Sequence, residues 1–509
     1  MTPEPSFDAF RSAYDGGGGQ VVWTRLIDDL ETPVSAFLKI GHGRPYAFLF
    51  ESVEGGAWRG RYSIITLAPD LVWRCRGDAA EVAEGADIAD GRFTRQPDGA
   101  LDSLRDLLAA SRIELPAGLP PMAAGVFGAI GYDMVRLAER LPNVNPDPLG
   151  LPDGVLTRPS IVAIFDSIAQ EIILVTPVRP GQASAKDAHA AAVARLQAVI
   201  GDLRGAAPPL SGEATPEPDA FTTPVSRETY RGIVEKAKGY IRAGDIFQVV
   251  PSHRFRAPFT RDPFALYRSL RRTNPSPFLF FLNFGDFQLA GSSPEILVRL
   301  RDGKITIRPI AGTRPRGATP AEDQALEAEL LADPKERAEH LMLLDLGRND
   351  VGRVAMLKDA GSNQAPTGRG ARVRVTDSFF VERYSHVMHL VSNVEGDAPE
   401  GLDPVDVVMA ALPAGTLSGA PKVRAMEIID ELEIEKRGIG YAGAVGYFGC
   451  DGSVDTCIVL RTALIKDGTM YVQAGGGVVA DSDPDAEYDE TLHKARALRR
   501  AAEESWRFV

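Results

Sequence analysis

Cysteine is scarce in this chain: Cys75, Cys450 and Cys457 are the only three in 509 residues. Their spacing supports neither a disulfide framework nor a thiolate metal site. This suits a reducing compartment, and cytoplasmic location is the expectation. Long apolar runs are missing too, since none reaches the ~18 residues of a membrane span. The stretch Met1–Asp15 carries Glu4 and Asp8 and no apolar segment, so a secretory leader is not expected. Positive charge is also short, with 56 Lys and Arg against 69 Asp and Glu and a net charge of −13. That balance argues against nucleic acid as the main partner, because phosphate binding needs a basic face. An anionic small ligand would need local positive charge, from a metal or an arginine cluster.

What is present is an ordinary globular composition, 44% hydrophobic and 25% charged, in a chain long enough for more than one domain. One composition break stands out: residues 203–226 are rich in Pro, Gly, Ala, Ser and Thr without periodicity, and read as a linker. It divides an N-terminal part, 1–202, from a C-terminal part, 227–509. Ala185–Asp202 is alanine-rich and reads as a helix. Tyr230, Ile233, Val234, Ala237, Tyr240 and Ile241 form one helical stripe closed by Gly244. Asp262-Pro263, Thr319-Pro320, Asp333-Pro334, Asp403-Pro404 and Asp483-Pro484 read as helix starts, because proline suits the first turn. Strand patterns at Phe278–Phe284, Phe287–Gly291, Glu295–Arg301 and Lys304–Ile310 alternate with Asp-Gly turns, the signature of hairpins. Hairpins interrupted by helices predict an α+β fold, with antiparallel sheets in a sandwich-like core and helices outside.

Four glutamates are the most telling feature. The helix begun at Asp333 carries Glu336 and Glu339, and the one begun at Asp483 carries Glu487 and Glu490. A spacing of three places each pair on one helical face. If the helices meet, four carboxylates converge, which suits a hard divalent cation such as Mg2+. Each pair alone also reads as solvated surface, and Glu336 falls where a capping glutamate belongs.

Other motifs leave two readings open. Arg308–Gly317 leaves a strand for a loop with three arginines and two glycines. It suits carboxylate recognition, or is a basic turn in water. Gln473–Val479 contains Gly475, Gly476 and Gly477, which allow close approach of a ligand or merely end a strand. It lacks a phosphate-loop lysine and is not read as a nucleotide site. In Leu412–Lys422, Thr416 and Ser418 could cap the helix that Pro421 opens. His389 lies on an expected strand, where a structural role competes with acid–base work. Arg461 falls in the apolar strand Cys457–Leu464, and Lys494 follows Glu490 by four residues. The first suggests a buried partner for its charge, the second a helix-surface ion pair.

In Gly291–Glu295, Arg308–Gly317, Asp333–Asp350, Ser385–Gly396, Leu412–Lys422 and Gln473–Lys494 the region 227–509 resembles the chorismate-utilising enzymes. The whole chain resembles the anthranilate synthase component I family among them. That resemblance implies the fold of that family. It also implies that Glu336, Glu339, Glu487 and Glu490 surround Mg2+, which grips a chorismate carboxylate. By the same resemblance Gly312, Thr313, Tyr441, Arg461, Gly475, Gly476, Gly477 and Lys494 hold the substrate, Thr416 lies near the ring hydroxyl, and His389 completes the loss of pyruvate. The implied reaction joins chorismate and ammonia into anthranilate and pyruvate, in tryptophan biosynthesis.

Relatives that make aminodeoxychorismate carry a nucleophilic lysine where Ala311 stands, and alanine forms no adduct. Relatives that add water use a lysine where Gln248 stands. Direct amination is therefore the expectation. Aminodeoxychorismate synthase component I and a tryptophan sensor without catalysis are the alternatives. Leu49–Ser52 and Asn274–Phe280 resemble the two sides of the family's tryptophan site, implying inhibitor contacts at Glu51, Ser52, Asn274, Pro275, Ser276, Pro277, Leu279, Phe280 and Cys457. Phe50 and Leu279 depart from the commoner leucine and methionine, and plain core packing is the competing reading. No glutaminase motif is found, so the resemblance implies a separate glutamine amidotransferase subunit as ammonia source.

Overall fold

A computed structural model describes residues 2–52, 60–142, 144–208, 210, 221–356, 373–383 and 387–508. Two long strands organise it. Tyr62–Arg76 and Gly154–Asp166 run antiparallel, Tyr62 opposite Asp166 and Cys75 opposite Gly154, with a register shift between Pro69 and Leu71. Proline offers no N–H to a ladder, and Ala68 beside it has φ +50°. The kink lets the two halves of each strand join different sheets.

On one side, the order runs Gln20–Ile27, Glu171–Val178, the two long strands, Phe48–Glu51, Phe278–Asn283, Phe287–Ser293, Thr462–Lys466, Thr469–Gly475 and Ser252–Pro258. On the other it continues from the long strands through Gly125–Ile130, Ala444–Gly449, Val454–Ile458, Ile296–Arg301 and Lys304–Ile307 to Val387–Asp397. Ile310–Pro315 and Arg374–Arg383 flank that last strand. All these pairings are antiparallel, as the hairpin grammar predicts.

Period-2 alternation sorts side chains between layers. Val21, Phe48, Phe127, Val155, Phe280 and Val445 point into a core shared by both sheets. Their neighbours Val22, Leu49 and Phe281 face an outer layer formed by the helices Pro33–Ile40, Ala185–Leu203, Pro263–Thr273 and Pro484–Glu504. Val126, Leu156 and Ala444 face the opposite outer layer, with Ala100–Ala110, Pro334–Ala355 and Pro404–Ala411. The result is a sandwich of curled sheets with helices outside.

The N-terminal and C-terminal parts share these sheets. Phe48–Glu51 pairs with Phe278–Asn283, and Gly125–Ile130 with Ala444–Gly449. Of the connection 203–226, residues 209 and 211–220 lie outside the described residues, as do Ser385 and His386 of the histidine motif. All five proline-marked starts open helices, each with a cap: Asp262, Thr319, Asp333, Asp403 and Asp483 accept from backbone N–H groups of the first turn.

Two local expectations are corrected. Arg308–Gly317 is not a loop throughout, because Ile310–Pro315 pairs with Val387–Val391. Cys457–Leu464 is not one strand: Val454–Ile458 and Thr462–Lys466 are separate, and Arg461 between them has φ +45°.

Candidate active site

The helices Pro334–Ala355 and Pro484–Glu504 pack on opposite outer layers rather than along one another. Their N-terminal ends, capped by Asp333 and Asp483, carry the four glutamates, and Glu490 is near enough to raise the pKa of both Glu339 and Glu487. The Glu339 carboxyl is pushed above its ordinary range by burial, then by the charges of Glu336 and Glu490, against Lys335 and Lys494. Glu487 is likewise raised by burial, opposed by a hydrogen bond from Ser482 at 2.7 Å, with Glu490 adding repulsion. Its Oε2 is buried and has no hydrogen-bond partner among the described residues.

Cations hold the set apart. Arg314 Nη1 lies 3.4 Å from Glu336 Oε1, and Lys494 Nζ lies 2.7 Å from Glu490 Oε1. Among the described residues, no three His, Cys, Asp or Glu side chains are close enough as they stand to share one metal ion. The donor chemistry nevertheless fits Mg2+. It consists of carboxylate oxygens only, crowded enough to repel, with one buried oxygen left unpaired. Glu336 is not the reciprocal partner of a capping box, because its carboxylate turns to Arg314 instead.

Of the glycines around these carboxylates, Gly475 is required sterically because backbone crowds it, whereas Gly476 and Gly477 are crowded only by the ends of side chains. A Cβ on Gly476 would lie 2.5 Å from Glu487 Oε2, one on Gly477 2.6 Å from Gln248 Nε2, and one on Gly475 2.5 Å from Pro251 O. The groups that approach the three glycines are therefore the protein's own. Lys494 Nζ also donates to Gly475 O at 2.8 Å, tying the strand end to the glutamate helix. Tyr441 is buried, and its hydroxyl proton is held more firmly by burial, with Glu490 contributing.

Gly312 is the extra residue of a bulge: Ala311 faces Leu390 and Thr313 faces His389. Its φ is +62°, a left-handed conformation that glycine adopts without penalty. The bulge turns its carbonyl toward His389, whose Nδ1 lies 2.9 Å from Gly312 O and 3.1 Å from Thr313 Oγ1. A carbonyl only accepts, so Nδ1 carries the proton and Nε2 is the basic nitrogen. Burial lowers the pKa of this histidine, the Gly312 bond opposes, and Arg461 lowers it further. His389 is a neutral base near pH 7.

The three arginines of Arg308–Gly317 are occupied by the protein's own carboxylates: Arg308 by Glu382, Arg314 by Asp333, Glu329 and Glu336, and Arg316 by Asp323. Arg461 acts elsewhere, lowering the pKa of both His389 and Glu295.

Glu295 is the site residue that the sequence reading passed over as the head of a strand. Burial pushes its carboxyl up to about 8, against the Thr416 hydrogen bond and Arg461. Thr416 Oγ1, in the turn Gly415–Leu417, donates to Oε1 at 3.2 Å. Glutamate at the head of a run as apolar as Ile296–Val298 was the available signal, since unpaired buried carboxylates are rare. Together these contacts link the substrate, catalytic and metal candidates. Arg461 acts on both the neutral acid Glu295 and the neutral base His389.

The model for chorismate binding enzymes matches residues 68–500. This chain belongs to the chorismate binding enzyme family. Among family relatives it is 56% identical over 507 residues to anthranilate synthase component 1 of Cereibacter sphaeroides, covering 99% of this chain and 98% of the relative. It is 48% identical over 480 residues to that of Pseudomonas putida, 93% of each chain. The crystal structure of anthranilate synthase component I from Streptococcus pneumoniae is similar at a TM-score of 0.73 and 35% identity, over 93% of this chain and 98% of that one. The menaquinone-specific isochorismate synthase of Escherichia coli shares the fold at a TM-score of 0.69 and 19% identity, over 96% of this chain and 95% of that one.

The cavity shared by six of the inhibitor candidates is lined by none of the substrate or metal candidates. Glu51, Ser52, Pro277, Leu279, Phe280 and Cys457 line a cavity of about 130 Å3, together with Arg61, Arg299, Arg301 and Tyr447. Asn274 sits beside it, its side-chain amide donating to Ser292 Oγ at 3.1 Å. Ser276 is buried and Pro275 half-buried. The Glu51 carboxylate already accepts from Tyr267 and from Arg271 Nε at 2.9 Å. The Phe280 ring lies across Gly291, where a Cβ would come within 2.1 Å of it.

Proposed function

We propose that this chain is the large subunit of an anthranilate synthase, converting chorismate and ammonia to anthranilate, pyruvate and water in tryptophan biosynthesis. The observation that carries this reading is the opposed pair of Glu295, held protonated by burial up to about 8, and His389, held neutral with Nε2 basic. Direct amination of an enolpyruvyl cyclohexadiene needs such a pair in turn.

In the first stage Glu295 gives its proton to the ring hydroxyl, which leaves as water while ammonia adds to the ring. Thr416, bonded to Glu295, orients that carboxyl. In the second stage the base at His389 Nε2 takes the ring proton at the aminated carbon, the enolpyruvyl ether bond breaks, and the enol leaves as pyruvate. Aromaticity drives this step. Tyr441, Arg461, Lys494 and the backbone of Gly312, Thr313 and Gly475–Gly477 hold the ring and its two carboxylates. Mg2+ held by Glu336, Glu339, Glu487 and Glu490 supplies positive charge for one substrate carboxylate.

Ala311 faces Leu390 in the sheet with only a methyl group, which disfavours the covalent-lysine chemistry of the aminodeoxychorismate branch. The ammonia comes from a separate glutamine amidotransferase subunit. In support, all three cysteines are buried, with thiol pKa values raised by burial, Cys450 to about 12. A glutaminase nucleophile needs the opposite, a thiolate stabilised near neutrality. The cavity beside Phe280 is the tryptophan feedback site, supported by its match to both candidate segments, although Arg61, Arg299 and Arg301 in its wall are paired with Asp166 and Asp455.

Anthranilate fluorescence provides the test. The chain alone should turn over chorismate with ammonium and Mg2+, and should fail with glutamine. Turnover to a non-fluorescent isomer of chorismate would overturn the reading.

A further inference from the structure

Next to the site lies an ion pair that makes no hydrogen bond to any residue proposed to meet the substrate. Arg437 Nη2 is 2.6 Å from Glu433 Oε1, with side chains 1% and 3% exposed. Burying two charges costs desolvation that their attraction only partly repays, so stability alone explains the pair poorly. Its other hydrogen bonds are more informative. Arg437 Nη1 donates to Leu417 O and Nη2 to Val250 O, both at 2.7 Å. Leu417 is next to Thr416, and Val250 directly follows the short strand Gln248–Val249. The guanidinium carbon lies 5.3 Å from the Tyr441 ring centroid and 4.8 Å from that of Tyr132.

Glu433 Oε1 in turn accepts from Ser252 N at 2.7 Å and Ser252 Oγ at 2.8 Å. Ser252 stands opposite Gly475 in the sheet, and its Oγ accepts from Gln473 Nε2 at 2.8 Å. The Leu417 turn, the Val250–Ser252 segment and the Tyr441 ring thus meet one fork and one carboxylate, and the Gly475 strand joins them through Ser252.

We propose that Arg437 and Glu433 are positioning residues that hold the Thr416 turn, the Gln248 strand, the Tyr441 ring and the Gly475 strand end in mutual register. This rests on the chorismate reading of the site. Arginine suits the task because its planar fork presents several donors at fixed angles, two of which reach carbonyls on different segments. A lysine keeps the charge beside Glu433 but is a single point and loses that geometry.

The test is Arg437→Lys, assayed by anthranilate fluorescence at a temperature where circular dichroism shows it fully folded. Loss of register should lower kcat/KM about 100-fold, the scale of a 1 Å misplacement, with KM raised as well as kcat reduced. Leu104→Ala, in a helix core on the outer layer, is the control for mere destabilisation. It should melt earlier yet return normal KM and kcat. Should Arg437→Lys fail to fold, Ser252→Ala carries the test. It removes one hydrogen bond to Glu433 and should raise KM about three- to tenfold. Normal kinetics in a folded Arg437→Lys, or in Ser252→Ala, would overturn the proposal while leaving the chorismate reading intact. An inactive wild-type chain would remove both.

Discussion

Thr416 donates its hydroxyl proton to Glu295 across 121 residues of sequence, at 3.2 Å. The bond joins a tight turn on one side of the site to the head of a buried strand on the other. It stabilises the ionised form of a carboxyl that burial drives toward its neutral form. The balance leaves a proton available near neutrality, which the proposed reaction would deliver to the leaving hydroxyl.

Glu295→Gln should lower kcat by about 10²–10⁴-fold at pH 7, the usual worth of a general acid. In the wild-type chain, kcat/KM should decline above about pH 8 as Glu295 loses its proton. An alkaline limb that persisted unchanged in the amide variant would assign it to another group. Stability has a matching sign. The folded pKa of Glu295 lies above its unfolded value, so its contribution is greatest at low pH and is lost as pH rises toward about 8. Glu295→Gln should therefore melt higher than the wild-type chain above that pH, as calorimetry can determine.

Gly312→Ala should harm both fold and turnover. At φ +62° a side chain costs about 1–2 kcal/mol. The added methyl also meets Leu330 Cδ1 at 3.0 Å and Glu336 Oε2 at 3.1 Å. Shifting the bulge moves the carbonyl that fixes the His389 tautomer, so kcat should fall at least tenfold. Urea denaturation and fluorescence assay together check this, and full activity in the variant would mean that His389 needs no such anchor.

Mg2+ should raise the melting temperature of the wild-type chain by mass action on the folded state. Removing one carboxylate charge, in Glu490→Gln, should abolish Mg2+-dependent turnover and most of that shift, with circular dichroism unchanged. Glu487→Gln tests the buried unpaired oxygen separately and should weaken Mg2+ binding. Equal thermal shifts in all three proteins would separate the metal from these helices.

Ser52→Phe should fill the cavity of about 130 Å3 beside Phe280, raising the tryptophan concentration needed for half-inhibition by tenfold or more. Turnover with ammonium should stay near normal, because none of the residues lining the cavity is among those proposed to hold chorismate or Mg2+. An unchanged inhibition curve would place the feedback site elsewhere.

Local signals account for much of what sequence alone determined. Proline after Asp or Thr marked five helix starts, because a missing N–H and a side-chain acceptor are useful only at a helix N-terminus. Asp302-Gly303 and Asp467-Gly468 marked hairpins, as their positive φ angles require. The glutamate spacing was legible because helical periodicity turns separation in sequence into a shared face. Tertiary structure decided the rest. Arg314 and Arg316 read equally well as ligands until internal carboxylates were seen to claim them. Glu295 and Arg437 carry no local pattern, since a carboxyl becomes an acid near neutrality only when other segments exclude water from it. A guanidinium likewise becomes a hub only when distant segments, here those of Leu417 and Val250, bring carbonyls within its reach.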